Sequence, residues 1–394
     1  MMSAGKSKST VQIKSEPFEG SYPCFGGNGV RGYVDEYNQD GIFSIVGRQG
    51  ALCGNINIAI GKFYATEHAV VTTLFDGIDF KWSNYILEAL RLNNYATGAA
   101  QPGLSVANIL NVFVPVPPTQ EQDRIGNNVY ESLKIVEALE QEKIDLQKNI
   151  ITAKTKILNL AICGKLVPQD PNDEPASVLL ERIRAEKEEL IKHGKIKRDK
   201  KESVIFKGDD NSYYGIHLPD SWNWASLREI ALSISDGSHN PPPNNGSGIP
   251  LLSAANINDN SILMNEISRW ITNEEWKIEN KRTNIEVGDV LLTIVGSIGR
   301  SAVVQNNNHF ALQRSVAVIK PCLINPLYLM HIVQSPQIQK WLTDNSKGTA
   351  QKGIYLNALS LMIIPIPPLA EQARIVELIH IAYKQLDLIS NALL

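Results

Sequence analysis

The sequence predicts an α+β protein with two homologous α/β domains, separated by long helices that form an antiparallel coiled coil. Three observations support this prediction. Most of the chain occurs twice, each copy mixes strand-like and helix-like patterns, and each copy leads into a helix with an apolar heptad repeat. At ~100–200 residues per domain, a chain of 394 residues holds two or three domains.

The internal repeat is the clearest of the three. The segment Gly98–Ile125 recurs without gaps as Gly348–Ile375, 250 residues later. Upstream of it, Asp40–Gly50 corresponds to Asp289–Gly299 with an offset of 249 residues. A period of this length indicates a duplicated domain rather than a solenoid, whose repeats are only ~20–45 residues long.

Each copy has the same predicted order of elements. A Gly- and Asn-rich region precedes an apolar strand, and a Gly/Arg turn connects it to a second strand, a helix and a Gly-Ala-Gln loop. A last apolar strand ends in PVPP or PIPP, because proline is excluded from central strands and helix interiors. The second strand and the helix are predicted at Ala69–Leu74 and Trp82–Leu92 in the first copy, and at Val316–Ile319 and Pro326–Leu342 in the second.

A long helix is predicted from Thr119, acting as its cap with Gln122, to Cys163. Its apolar residues repeat every 3.5 positions, which is the pattern of a coiled-coil seam, and the last helix of the second copy keeps the same register. At 1.5 Å per residue the first helix spans roughly 65–70 Å and the second roughly 40 Å. The predicted seam and partner-facing residues are Ile125, Val129, Val136, Leu139, Leu146, Ile150, Ile157, Leu160, Ile375, Ile379, Leu386 and Ile389.

The segment between the copies contains prolines that end the long helix, followed by a shorter amphipathic helix at Ala176–Ile191. The next run, Lys192–Lys201, is basic. A solvated linker is the favoured interpretation of this run, since charge runs are usually solvated. A strip that contacts DNA phosphates is the alternative.

The overall charge excludes a uniformly basic nucleic-acid coat. The 38 Lys and Arg residues are balanced by 41 Asp and Glu residues, so any DNA contact must come from local patches. Four scattered cysteines disfavour a disulfide framework or a zinc site and fit a reducing compartment. Because no signal peptide or long apolar run is evident, we expect a cytoplasmic protein without membrane contact.

Two short motifs look like cofactor or catalytic sites but lack the required context. Gly27, Gly29 and Gly32 spell G-x-G-x-x-G, yet no helix is predicted to start there, so the motif does not predict a nucleotide site. Asn240 begins an Asn-Pro-Pro sequence similar to that of amino-methyltransferases, but position 243 is Pro rather than aromatic. The sequence therefore predicts no catalytic residue and no metal ligand.

Two homologous domains, each followed by a seam-bearing helix, favour one geometry. If the helices pair antiparallel, a pseudo-twofold axis crosses the coil and places one domain at each end in opposite orientation. Such a body is suited to read two half-sites on a DNA duplex, with the coil setting their distance. Parallel pairing is the alternative, and it needs a long return connection.

Several segments, in this order and partly duplicated, carry a resemblance to a known family: Tyr22–Tyr37, Ile45–Ile56, Pro117–Ile125, Leu218–Ile230 and Pro367–Ile375. In this combination the chain resembles the specificity subunit of type I restriction–modification enzymes. The resemblance extends over nearly the whole chain from about Lys14 onward.

The resemblance implies a non-catalytic DNA-binding subunit that reads a bipartite site. It also implies methyltransferase subunits and restriction/translocase subunits as partners, which carry S-adenosylmethionine, ATP and Mg²⁺, so that the assembled complex methylates adenine and cleaves DNA. The implied domains are a shortened first target-recognition domain (1–118), a central helical spacer and linker (119–215), a second target-recognition domain (216–368) and a C-terminal spacer helix (369–394).

The chain departs from the family pattern in two places. The second copy has 71 residues from Leu218 to Asp289, whereas only 39 residues precede Asp40 in the first copy. The C-terminal helix is also shorter than its counterpart, so we predict that the far part of the long helix, Leu146–Leu160, is unpaired and meets a partner. A recombined or defective variant that reads one half-site is therefore an alternative function.

Candidate DNA contacts are Arg, Lys, Asn, Gln and His side chains on loops, because these match base edges and phosphates. For each of them the alternative is a structural role in its loop, and Arg124 and Arg374 are expected to be structural or partner-facing. Two other function classes stay open, a single-chain recognition and methylation enzyme and a coiled-coil protein scaffold. The DNA-contact candidates are Arg31, Arg48, Gln49, Gln101, His239, Arg300, Arg314, Lys347, Gln351 and Lys352.

Overall fold

The computed structural model describes residues 1–7, 12–50, 52–98, 102–198, 213–348 and 352–393. They form two compact units, unit 1 (Met1–Lys143) and unit 2 (Ile144–Leu394). Among the described residues, no helix is both long and apolar enough to cross a membrane.

Unit 1 is built on a six-stranded mixed sheet with the strand order β1-β6-β4-β5-β2-β3. All neighbouring strands are antiparallel except β2 and β5, which are parallel. Its strands are β1 (Met2–Ala4), β2 (Tyr22–Gly26), β3 (Gly29–Val34), β4 (Gln39–Gly47), β5 (Ile56–Ala65) and β6 (Ala69–Thr72). Its helices are α1 (Phe80–Ala89), α2 (Val106–Leu110) and the first part of α3 (Thr119–Ile162), with a short 3₁₀ turn at Leu92–Tyr95.

Unit 2 contains a four-stranded antiparallel sheet, β14-β13-β16-β8, together with the smaller sheets β12-β9-β15, β10-β11 and β17-β7. The strands are β7 (Asn223–Ser226), β8 (Ala231–Asp236), β9 (Ile249–Leu252), β10 (Ile257–Asn258), β11 (Ser261–Ile262), β12 (Trp270–Ile271), β13 (Val290–Thr293), β14 (Ser301–Val303), β15 (Ala311–Leu312), β16 (Val316–Pro321) and β17 (Ile363–Ile366). The helices are the rest of α3, α4 (Ala176–Lys192), α5 (Leu227–Ile230), α6 (Asn273–Thr283), α7 (Pro326–Val333), α8 (Pro336–Asp344), α9 (Leu356–Ser360) and α10 (Leu369–Ala392).

The central strands of both units lie where the apolar runs predict them. In unit 1, Ile45 on β4 and Phe63 on β5 are fully buried, and Phe25 packs edge-on against Phe63 at 5.3 Å between ring centroids. In unit 2, Val290 and Leu292 on β13 are fully buried. Each such side chain contributes about 1.5–3 kcal/mol by leaving water.

In each unit one glutamine fixes the start of the helix that follows the proline cluster. This helix is α3 in unit 1 and α10 in unit 2. The Gln122 Oε1 accepts the backbone N–H of Asp79 at 2.8 Å, and its Nε2 donates to the carbonyl of Pro117 at 2.8 Å. Gln372 makes the same two bonds, to Asn325 at 2.9 Å and to Pro367 at 3.0 Å. The helix does begin at Thr119, but Gln122 ties the helix to the start of α1, so the predicted capping box is wrong.

Two other sequence predictions need correction. The helix predicted over Pro326–Leu342 is two helices, α7 and α8, because Pro336 ends the first and opens the second after Ser335. The strand predicted before PVPP is present in unit 2 as β17 but absent at residues 113–116 of unit 1, which are described and have no regular structure.

The antiparallel helix pair lies within unit 2, where α10 contacts α3 around Lys154. The Lys154 ammonium is paired with the Asp387 carboxylate, and the Tyr383 hydroxyl donates to the carbonyl of Lys154 at 3.3 Å. Further along α3, Asn159 is bonded to Gln337 of α8. The 24 residues of α10 span about 36 Å and the 44 residues of α3 about 66 Å, so α10 is too short to pair along the whole of α3.

The exposed part of the seam is therefore not the predicted one. Residues 131–146 of α3 are exposed, whereas Ile150 is 5% and Leu158 is 6% exposed, because α10 and the rest of unit 2 cover the end of the helix. The prediction that Leu146–Leu160 is unpaired is wrong except at Leu146. Of the predicted seam residues, Ile150, Ile375 and Ile379 are buried, Val129, Ile157, Leu160 and Leu386 are half-buried, and Ile125, Val136, Leu139, Leu146 and Ile389 are exposed.

The G-x-G-x-x-G glycines lie in the β2–β3 hairpin rather than at a helix start, as predicted. Gly29 adopts φ +86° at the tight turn, a conformation that glycine reaches without strain. All four cysteines are free, and Cys24, Cys53 and Cys322 are buried.

His331 on α7 is a buried titratable group beside Tyr383, and its Nδ1 has no hydrogen-bond partner. Burial lowers the pKa of His331 to about 4, and the nearby His380 acts in the same direction. The folded protein therefore binds this proton less readily than the unfolded chain, whose histidine titrates near 6.5.

We expect stability to fall as the pH drops from 6.5 to about 4, with a contribution of about 3 kcal/mol from His331. Denaturant unfolding at pH 7 and pH 4 measures it, and His331→Gln should remove this part of the loss. His217→Gln, at an exposed position that does not contribute to the His331 shift, is the control. The same loss of stability in His331→Gln and in the wild type would contradict the assignment.

Candidate nucleic-acid interface

Backbone hydrogen bonds join four loops of unit 2 into one continuous edge. We call it the unit 2 loop edge, formed by residues 237–239, 294–300, 312–316 and 347–353 without the undescribed 349–351. The Arg314 N–H donates to Ser238 at 2.9 Å, Ile294 donates to Ser315 at 2.9 Å, and Gly296 donates to Lys352 at 3.2 Å. The amide of Lys347 then donates to Gly353 at 2.8 Å.

Unit 1 has a corresponding edge, which we call the unit 1 loop edge. It is formed by residues 5–6, 47–50, 65–69 and 97–104, without the undescribed 99–101. The amide of Lys6 donates to Ala65 at 3.0 Å, and that of Arg48 donates to His68 at 3.1 Å. The amide of Leu104 donates to Arg48 at 2.8 Å. In both units the Gly/Arg turn therefore meets the residues that flank the Gly-Ala-Gln segment, although the two are distant in the sequence.

Five of the predicted DNA contacts lie on the unit 2 loop edge and expose their side chains: His239, Arg300, Arg314, Lys347 and Lys352. Arg300 lies at the end of its turn, where its carbonyl accepts from the Thr293 N–H at 2.9 Å. Burial raises the pKa of the Asp259 carboxyl, whereas the Ser301 N–H and the charge of Arg300 lower it. Gln351 lies outside the described residues.

His239 is held in place by two residues that the sequence prediction missed. Its Nε2 lies 2.8 Å from a carboxylate oxygen of Asp236, which is only 6% exposed. Arg282 of α6 donates its Nε to the Asp236 carbonyl at 3.0 Å and its Nη2 to the Asp236 carboxylate. The buried acid orients two donors whose side chains stay about half exposed, at 53% for His239 and 52% for Arg282.

The predicted contacts of unit 1 are less uniform. Arg48 is half-buried and donates to the Glu67 carbonyl at 3.2 Å, so it also stabilises its loop. Gln49 and Arg31 are exposed, and Gln101 lies outside the described residues. Lys6 was missed, although it is exposed at the place that Ser238 has in unit 2. No sequence motif marks it, because the first copy is unlike the second here.

The helix arginines have the structural role expected for them in one unit only. Arg374 makes a two-point ion pair with Asp173, with Nη1 at 3.2 Å from the carboxylate. Arg124, its counterpart in unit 1, is exposed. In the basic run, Arg198 pairs with Glu188 at 2.6 Å, which favours the solvated-linker interpretation for that residue.

The donors on the two loop edges suit phosphate oxygens and the acceptor edges of bases, since Arg and Lys donate to guanine and loop amides donate to phosphate. Within the described ranges, no group of three or more His, Cys, Asp or Glu side chains is placed to bind a metal ion. The arrangement can therefore bind a polyanion through two similar surfaces, one per unit.

Comparison with known proteins gives a consistent result. The family described as type I restriction modification DNA specificity domain matches residues 4–158 and 219–393. The chain is 55% identical over 107 residues to the type I restriction enzyme EcoprrI specificity subunit of Escherichia coli, covering 27% of this chain and 26% of that protein. It is 25% identical over 293 residues to the EcoBI specificity subunit of the same species, covering 73% and 55%. The chain thus spans about a quarter to just over half of these relatives.

The fold is similar to that of solved structures. The HsdS subunit of Thermoanaerobacter tengcongensis matches with a TM-score of 0.54 and 18% identity, over 90% of this chain and 76% of that one. A second structure, from a study of complex assembly in the type I R-M system, matches with a TM-score of 0.54 and 17% identity, over 95% and 86%. At these identities the likeness concerns the fold: two specificity domains with long helices.

Proposed function

Because the chain belongs to the type I restriction modification DNA specificity family, we propose that it is a non-catalytic subunit that reads a bipartite DNA site. Its partners in this proposal are methyltransferase and restriction/translocase subunits. Those partners supply S-adenosylmethionine, ATP and Mg²⁺ and carry out adenine methylation and cleavage. The protein works in the cytoplasm, where these partners meet DNA.

The duplicated loop edge is the observation that supports this proposal most directly. Both units carry exposed basic or amide side chains on loops that are tied together by the main chain, so the two surfaces can each read a short stretch of duplex. A protein scaffold would have no need for the same polar edge in both units.

Methylome sequencing tests the proposal. Cells that express this chain with the family's methyltransferase partner should acquire a methyl-adenine motif in two parts separated by a fixed spacer. Methylation at a one-part motif would support a variant that reads one half-site. An unchanged methylome despite a stable complex would contradict DNA reading and favour the scaffold.

Two kinds of DNA contact on the unit 2 loop edge should behave differently. Lys352→Ala removes one phosphate contact, so it should lower the slope of log affinity against log salt by about 1, equally for all sequences. Arg314→Ala removes a base contact and should cost about 1–3 kcal/mol on the cognate site only. Titrations of the assembled complex at several salt concentrations measure both.

Lys384→Ala is the matched control, because Lys384 is exposed on α10 and belongs to neither loop edge. If Lys384→Ala weakens DNA binding as much as the two edge variants do, the loop edge is not the DNA surface.

A further inference from the structure

The guanidinium of Arg282, near the end of α6, lies beside the unit 2 loop edge, although Arg282 does not belong to that edge. Its Nε donates to the Asp236 carbonyl at 3.0 Å, and its Nη2 donates to the Asp236 carboxylate. The same Nη2 lies 3.4 Å from the Nε2 of His239, which is part of the edge. Since both side chains are about half exposed, Arg282 and His239 reach solvent side by side.

Much of the guanidinium of Arg282 is open to a ligand. A guanidinium carries five N–H donors, and the bonds to Asp236 use the one on Nε and one of the two on Nη2. Within the described ranges, no hydrogen bond uses the N–H groups of Nη1. The outer edge of the group can therefore donate to another molecule while its inner edge stays bonded to Asp236.

Both elements that hold this arrangement are fixed in place. The Trp276 indole anchors α6, because it donates to the Phe310 carbonyl at 3.1 Å. On the opposite side, the amide of Ser238, just after Asp236, donates to the Leu312 carbonyl at 2.7 Å. A side chain that is already held in one geometry loses less conformational entropy on binding than a flexible one.

The buried acid favours the reading of a base over the binding of a phosphate. Asp236 is 6% exposed and forms an ion pair with Arg282, so its charge cancels much of the long-range attraction between the guanidinium and a phosphate backbone. The paired group keeps its direction, because the remaining N–H groups lie in one plane. Two such parallel donors match the O6 and N7 acceptors of guanine in the major groove.

From these observations we propose that Arg282 determines specificity in the half-site read by unit 2, by donating to the O6 and N7 atoms of one guanine. Asp236 is its positioning residue. This role rests on the proposed function, because it requires a chain that reads DNA. It places a base-reading residue on a helix, beside an edge whose described candidates lie on loops.

Methylome sequencing with the full chain and the family's methyltransferase partner tests the proposal. One half of the wild-type motif should contain a guanine whose preference falls about tenfold or more in Arg282→Ala and in Arg282→Lys, while the other half is unchanged. Lysine keeps the charge but cannot donate two parallel bonds, so it separates base reading from phosphate binding. Lys281→Ala, at the exposed neighbouring position of α6, is the control and should retain the guanine.

Asp236→Asn tests the positioning role. The variant removes the charge that holds the guanidinium, so it should relax the preference for the same guanine and for no base in the other half. A purely structural ion pair would instead lower the thermal stability and the total methylation without changing the motif. Thermal melting of each variant separates these two results.

A direct measurement replaces each guanine of that half-site in turn with 7-deazaguanine, which lacks the N7 acceptor. In titrations of the assembled complex, one replacement should weaken wild-type binding several-fold and leave the affinity of Arg282→Ala unchanged.

The possible outcomes separate this proposal from the proposed function. A wild-type motif that Arg282→Lys retains, or that Lys281→Ala relaxes equally, would overturn the role of Arg282 alone. So would a wild-type complex that binds every 7-deazaguanine site as tightly as the parent site, a result that does not depend on how any variant folds. A methylome that the wild-type chain leaves unchanged would overturn the proposed function together with this role.

Discussion

Replacing Glu371 with leucine is expected to lower the free energy of unfolding of unit 2 by about 2 kcal/mol. The fully buried carboxylate accepts the Trp222 indole N–H at 2.9 Å and the Gln169 amide at 2.6 Å. Leucine removes the acceptor of the buried Trp222 indole N–H, at about 1–3 kcal/mol, whereas the exposed Gln169 amide can bond to water instead. The loss is partly offset because a desolvated charge is removed. Denaturant unfolding followed by tryptophan fluorescence measures the change.

The repeat supplies a matched control in Glu121→Leu, at the exposed counterpart position, which should change stability by less than about 0.5 kcal/mol. Glu371→Gln keeps an acceptor and should cost less than leucine. Burial raises the pKa of Glu371 above its ordinary value of 4.5, so wild-type stability should rise relative to Glu371→Gln as the pH falls towards 4.5. Equal losses in Glu371→Leu and Glu121→Leu would show that the buried network is not stabilising.

Gly237→Ala should lower the free energy of unfolding of unit 2 by about 3 kcal/mol. The new Cβ would lie 2.1 Å from the Leu312 carbonyl oxygen and 2.5 Å from that of Gln313, both backbone atoms that cannot swing aside. The loop that carries His239 must then move away from β15, so DNA binding by the unit 2 loop edge should weaken as well. Unfolding and DNA titration together measure both effects.

Gly103→Ala is the control for this substitution, because its Cβ would meet nothing nearer than 3.9 Å and its φ is not positive. Gly5→Ala should reproduce the loss in unit 1, where the same 2.1 Å overlap occurs. If Gly237→Ala unfolds at the wild-type denaturant concentration, the close approach of the two loops is not present in solution.

The sequence predicts the two homologous domains and the long helices, because a repeat and an apolar periodicity each extend over many residues. The start of α3 at Thr119 and its end at Ile162 agree with the prediction to within one residue. The extent of helix pairing was wrong because periodicity shows which face is apolar and does not show how far a partner reaches. The break between α7 and α8 was missed although Pro336 marks it, because the apolar pattern continues across the proline.

The candidate site was predicted by residue type and repeat position, and this identified the loops that meet. It could not identify Asp236 and Arg282, since their role depends on a contact between β8 and α6, which lie 46 residues apart. Nor could the sequence show that Arg48 is half-buried and bonded to the Glu67 carbonyl, whereas its neighbour Gln49 is exposed. Residues 113–116 show the same limit: a strand-like sequence becomes a strand only when a neighbour supplies its hydrogen bonds.

The way in which the loop edges are assembled bears on how the protein can evolve. Backbone hydrogen bonds hold the loops together. The exposed side chains at positions such as 239, 314 and 352 therefore contribute little to the stability of the loop backbone. New side chains at these positions would leave the scaffold intact while changing what it recognises. Drift at a handful of codons is therefore enough to create a new preference without a penalty in folding.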